Sequence, residues 1–79
     1  FYYPNPVQEE LLIQWSNDDT TYVRGIEINS LHGQKMYSQS LISDQDDITV
    51  QFSNYAQGVY IVSLLYSNGS QENFKIIKK

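Results

Sequence analysis

A two-residue hydrophobic period runs through this chain from one end to the other, and no segment replaces it with a helical period over three turns. Leu11, Ile13 and Trp15 fall on one side of a first clear strand, with Leu12 and Gln14 opposite. Residues 22–29 form a second strand, with Ile26 and Ile28 inward and Gly25 and Glu27 outward, and residues 35–41 a third. Ile48, Val50 and Phe52 alternate with Thr49 and Gln51. Residues 59–66 are the most apolar: Tyr60, Val62, Leu64 and Tyr66 share one face, and Val59, Ile61 and Leu65 share the other with Ser63. Apolar residues on both faces predict a central strand or a second buried contact. Residues 71–78 return as the last strand, with Phe74 and Ile76 inward. The total is six strands, or seven if residues 1–3 pair before the prolines.

Turn chemistry separates these runs. Asn17-Asp18-Asp19 supplies Asx residues that bond to their own backbone. Residues 30–34 read as a hairpin loop in which Gly33 takes a positive φ at little steric cost. Residues 43–47 form the next turn, and residues 53–58 a connector anchored to the core by Tyr55. Asn68-Gly69 is the strongest short-range hairpin signal in the chain. Short antiparallel strands with regular turns predict an all-β fold, an Ig-like antiparallel β-sandwich of about six to seven strands.

Such a chain has a thin core. With 79 residues it buries roughly 60–65% of the surface its unfolded form exposes. It has no cysteine, hence no disulfide staple, so its seven tyrosines, three phenylalanines and one tryptophan must help supply the packing.

The same composition excludes most chemistry. Without cysteine there is no Cys-based zinc site and no thiol nucleophile. His32 is the only histidine and falls in a turn, with no second imidazole to complete a metal site. A Ser–His–Asp triad needs more three-dimensional support than this chain offers. No enzyme activity and no cofactor are expected. Asp44, Asp46 and Asp47 resemble a fragment of a calcium loop but lack its glycine and distal glutamate, so calcium between sandwich loops stays open as an alternative. Tyr2, Tyr3 and Trp15 suit either a sugar-stacking surface or core packing, and a thin core favours packing.

Net charge is −4 and no basic stripe is present, so nucleic acid is a poor partner. Three of the five basic residues, Lys75, Lys78 and Lys79, crowd the last five positions. No apolar run approaches the ~20 residues of a membrane span. The chain starts at Phe1 without leader-like features, as expected of a piece of something longer. Pro4 and Pro6 fix their own φ and push their predecessors to extended geometry, which predicts a stiff extended lead suited to a sheet edge.

Four of these elements, in order, resemble the C-terminal sorting domain of type IX secretion cargo in Bacteroidota. The first is Tyr3-Pro4-Asn5-Pro6-Val7, followed by Leu11 and Ile13; the second is Ile26-Glu27-Ile28, followed by Gly33-Gln34-Lys35-Met36. The third is Phe52-Ser53-Asn54 with Gly58-Val59-Tyr60-Ile61-Val62, and the last is Phe74-Lys75-Ile76-Ile77-Lys78-Lys79. The resemblance covers essentially the whole chain. Asn29 and Ser30 depart from it, standing where an aromatic and an Asp or Asn are usual, as do Tyr55 and Gln57 before Gly58.

The resemblance implies that residues 1–79 are a single C-terminal sorting domain whose upstream cargo is not in this chain. It implies transit through the periplasm, recognition by the outer-membrane translocon and its shuttle proteins, and delivery to the cell surface or beyond. It further implies removal by a sortase-like cysteine protease cutting upstream of the domain, and anchoring of the cargo to anionic lipopolysaccharide. Pro4, Asn5, Pro6, Gly33, Gly58 and Tyr60 are then family motif positions with structural roles: Gly58 permits a sharp turn into its strand and Tyr60 fills the core. Lys75, Lys78 and Lys79 become candidates for translocon recognition, through β-augmentation of an open edge, although lysines at an edge also serve plain protection against mispairing. The competing functions are an adhesion or carbohydrate-binding module, and a passive spacer or oligomerisation module, monomeric or paired through an edge strand.

Overall fold

A computed structural model describes residues 2–18 and 20–79. The strand residue expected at Phe1 and the Asp19 part of the first turn lie outside the described residues. Every regular element among those described is a strand: β1 (Tyr2–Tyr3), β2 (Glu10–Gln14), β3 (Val23–Ser30), β4 (Lys35–Ser40), β5 (Asp47–Gln51), β6 (Gly58–Tyr66) and β7 (Gln71–Lys78). They form two antiparallel sheets, one ordered β1-β2-β5 and the other β4-β3-β6-β7. This is the seven-strand form of the expected all-β, Ig-like sandwich.

The alternating pattern places the core between the sheets. Leu11, Ile13 and Val50 from one sheet meet Val23, Ile26, Ile28, Tyr60, Val62, Leu64 and Ile76 from the other, all buried. Side chains that point to alternate faces make this assignment a matter of register. β6 lies between β3 and β7, so it is the central strand that its two apolar faces predict. Its outer residues Val59, Ile61 and Leu65 are half-buried, and Ser63 is buried. Gly25 faces the same outer side but is covered: a Cβ there would stand 3.4 Å from the Gln39 carbonyl oxygen and 3.7 Å from Leu65 Cδ1.

Local polar groups fix the connections. Asp18 Oδ1 accepts the backbone N–H groups of Thr20 and Thr21 and the Thr20 hydroxyl, at 2.9, 2.6 and 3.0 Å. These bonds hold its carboxyl below the usual aspartate range, with the Thr20 and Thr21 N–H groups the main cause. The carbonyl of Gln45 accepts both the Trp15 indole N–H at 3.0 Å and the Asn17 amide at 2.8 Å, tying the β4–β5 loop to the end of β2. Trp15 is therefore a half-buried packing residue at the strand end, and Tyr2 stacks on Phe74 with ring centroids 4.1 Å apart. The packing reading of these aromatics holds; Tyr3 remains exposed.

The Pro-Asn-Pro segment corrects one expectation. It is not a straight lead into the first main strand. β1 precedes it and pairs with β2, and residues 4–7 cross from the edge of one sheet to the edge of the other. Both Tyr3-Pro4 and Asn5-Pro6 are cis. The crossing ends at Val7, which is fully buried and forms an isolated parallel bridge with Lys78. The reason is a set of bonds that a straight segment would not reach: the Val7 N–H donates to the Ile77 carbonyl at 2.8 Å, and the Lys79 N–H donates to the Val7 carbonyl at 2.9 Å.

Candidate recognition site

Antiparallel geometry gathers most of the singled-out residues at one end of the sandwich. β6 starts at Gly58, which pairs with Lys78 at the end of β7, while Tyr60 pairs with Ser30 at the end of β3. The β3–β4 turn carrying Gly33 follows directly, and the crossing segment docks beside Lys78. Asn5, Gly33, Gly58, Tyr60 and Lys78 thus converge on one corner although they span most of the chain.

Each has a definite local role. Gly33 has φ +85° in its turn, closed by the Gly33 N–H donating to the Ser30 carbonyl at 2.9 Å. Gly58 has φ +152°, a conformation that L side chains rarely adopt, although a Cβ there would meet nothing within 4 Å. Its constraint is therefore backbone conformation, not space. Tyr60 is buried, and its hydroxyl donates to the Ala56 carbonyl at 2.6 Å, closing the connector that leads into Gly58. Its ring meets Phe52 edge-on, with centroids 5.7 Å apart and planes at 90°. Tyr55 anchors the same connector: its ring lies 4.9 Å from Phe52, and its hydroxyl donates to the Met36 carbonyl at 3.2 Å. Burial is the main cause raising the Tyr55 pKa above the usual tyrosine value. Pro4 and Pro6 are exposed and line, with Glu9, Glu10 and Lys79, a shallow depression beside the crossing.

The lysines do not form one cluster. Lys75 is exposed on the outer face of its sheet, opposite Ile61, and strand alternation puts Ile77 and Lys79 on the same side. Lys78 lies on the face of Ile76, is half-buried, and donates from Nζ to the Lys79 carbonyl at 3.1 Å. The outer face of β7 thus reads Lys75, Ile77, Lys79, next to Val59 and Ile61 of β6.

Nor is the β7 edge open along its whole length. Besides the Val7 bonds, Asn5 Oδ1 accepts the Ile77 N–H at 3.0 Å. The edge is covered at residues 77–79 and uncovered before them. Sequence reasoning missed this cover and missed Val7 as a core residue, because one apolar residue between Pro6 and Gln8 shows no period. The signal that could have found it is the carboxamide of Asn5, whose oxygen can accept an outward N–H of a neighbouring strand edge.

Other sequence candidates stand apart from this corner. His32 is an exposed turn residue, and Asp44, Asp46 and Asp47 are exposed around the β4–β5 turn. Among the described residues no group of three His, Cys, Asp or Glu side chains is placed to hold a metal ion. No helix there is long and apolar enough to cross a membrane.

Fold and site therefore define a small β-sandwich whose distinguishing features are a closed corner and a lysine-bearing final strand. Over residues 2–79 the chain matches the family described as the secretion system C-terminal sorting domain, and it belongs to that family. It is a type IX secretion C-terminal sorting signal, which implies recognition by the secretion machinery and export through the outer membrane to the cell surface or beyond. Neither curated proteins nor solved structures gave a significant match.

Proposed function

We propose that this chain is a folded, non-catalytic address for a cargo attached on its N-terminal side, with the outer face of β7 as the part a partner reads. The family match across residues 2–79 carries this reading. The exposed row of Lys75, Ile77 and Lys79 supports it, because a partly basic strip on an otherwise acidic domain is a distinctive electrostatic mark. On this reading the translocon and its shuttle proteins in the periplasm are the partners. A sortase-like cysteine protease acts upstream of Tyr2, and the released cargo is anchored at the surface through anionic lipopolysaccharide.

The test must leave the fold intact. Deleting residues 75–79 removes Ile76 from the core and Ile77 from the Asn5 contact, so loss of export would report unfolding. The double change Lys75→Gln and Lys79→Gln keeps the strand and removes the charge. In a periplasmic reporter fusion this variant should be exported poorly while melting like the parent. Unimpaired export would assign these lysines to edge protection alone.

A further inference from the structure

The uncovered stretch of β7 lies beside a groove, and the two features share one geometry. In the β6–β7 ladder, Tyr66 N–H donates to the Ser70 carbonyl at 2.9 Å, so residues 70, 72, 74 and 76 direct their peptide groups toward β6. The peptide groups of Gln71, Asn73, Lys75 and Ile77 point the other way, as the Ile77 contacts to Asn5 and Val7 confirm. Among the described residues, no strand pairs with β7 along Gln71, Asn73 and Lys75, and all three residues are exposed. Between β7 and the β1–β2 edge opens a cleft of about 470 Å³ lined by Tyr2, Ile13, Trp15, Tyr66, Asn73 and Phe74, among others.

We infer that residues 71–75 of β7 accept one short extended strand from a partner protein, with an apolar side chain laid in the cleft against the stacked Tyr2 and Phe74 rings and a carboxylate set against Lys75. The inference rests on the sorting reading and gives its contact a register. Strand addition joins main-chain hydrogen bonds along an edge with pockets for alternate side chains, and both are present here. The chain's own Val7 already continues this row at residues 77–79 in parallel orientation, so the edge accepts a strand and the length left for another is bounded. Inward side chains of the added strand fall beside Phe74, over the aromatic cleft; outward ones fall beside Lys75. Glu72, whose Oε1 accepts the Tyr66 hydroxyl at 3.2 Å, also lines the cleft and disfavours a carboxylate there. The strand that fits is acidic outside and apolar inside.

The test separates main chain from side chain at one position. Asn73→Pro removes an outward N–H that β6 does not use, and Asn73→Ala removes only the side chain. Fused to a periplasmic reporter, Asn73→Ala sets the reference level of export, because it changes the side chain and keeps the outward N–H. Asn73→Pro should fall by about tenfold or more, the factor that 1.4 kcal/mol of lost binding produces, with unchanged melting. Should Asn73→Pro fold poorly, Gln71→Pro makes the same comparison at the strand's first outward donor. Folded proline variants exported at parental levels would overturn the strand-addition site and leave the sorting reading standing. Failure of the unmodified fusion to be exported would overturn both. A dimer of the purified chain that Asn73→Pro abolishes would assign the edge to a second copy of the domain and overturn the proposed partner.

Discussion

The carboxamide oxygen of Asn5 accepts the backbone N–H of Ile77 at 3.0 Å, joining residues 72 positions apart. Proline on either side of Asn5 removes main-chain donors from the segment, and the Asn5 side chain supplies the acceptor that a regular neighbouring strand would provide from its backbone. Val7 then takes over with main-chain bonds on both sides of Lys78. A contact made by one amide side chain thus decides how far along β7 the sheet edge is covered.

Asn5→Ala should loosen this corner without unfolding the domain. Net loss of one exposed hydrogen bond costs about 0.5–1.5 kcal/mol. Amide exchange at Ile77 and Lys79 should accelerate, while amides of Tyr60 and Val62 in the central strand keep their protection. Equal acceleration across β6 would show that the contact governs global stability instead.

Tyr60 offers a graded comparison. Tyr60→Phe keeps the ring against Phe52 and deletes only the bond to Ala56, so it should cost about 1 kcal/mol. Tyr60→Ala also opens a cavity and should cost about 3–5 kcal/mol. Urea unfolding of both variants checks the order.

Gly58→Val tests conformation in the absence of crowding. Nothing lies within 4 Å of the added Cβ, so the expected loss, about 1–3 kcal/mol, comes from holding a β-branched residue at φ +152°. Unchanged melting would show that the turn into β6 has relaxed to another backbone geometry.

Acid should reach the β2–β3 loop late. Asp18 has its pKa lowered in the folded chain by the N–H groups of Thr20 and Thr21. A depressed carboxyl pKa contributes stability that is present above the unfolded value and lost as pH falls through the folded one. The Thr20 and Thr21 amide resonances should therefore hold steady from neutral pH down through the ordinary aspartate range, then shift together below it. Asp18→Asn should remove that acid-dependent step.

The strands were legible because sequence alternation and burial obey the same period. Ile26 and Ile28, or Val62 and Leu64, announce both a strand and the face it buries, and Asn68-Gly69 announces the hairpin that links β6 to β7. Gly58 and Tyr60 were legible too, since a turn into an apolar strand needs conformational freedom and a large buried anchor. Contacts without a period were not legible. Leu41 is buried just past the end of β4, and Val7 is buried between two exposed residues. The final lysines read as one cluster along the chain, yet the pleat sends Lys78 to the opposite face from Lys75 and Lys79. The groove was hidden for a related reason: Tyr2 and Phe74 lie at opposite ends of the sequence, and their rings meet only across the two packed sheets.

The parallel pairing of Val7 with Lys78 also has a mechanical meaning. A pull applied on the N-terminal side of Tyr2, against a hold on Lys79, draws the two segments past each other along their length. Their hydrogen bonds are then loaded in shear and must yield together, unlike a hairpin whose bonds peel apart one at a time. On the proposed reading, tension transmitted from an attached cargo to a partner gripping the last strand would meet the corner at its strongest orientation.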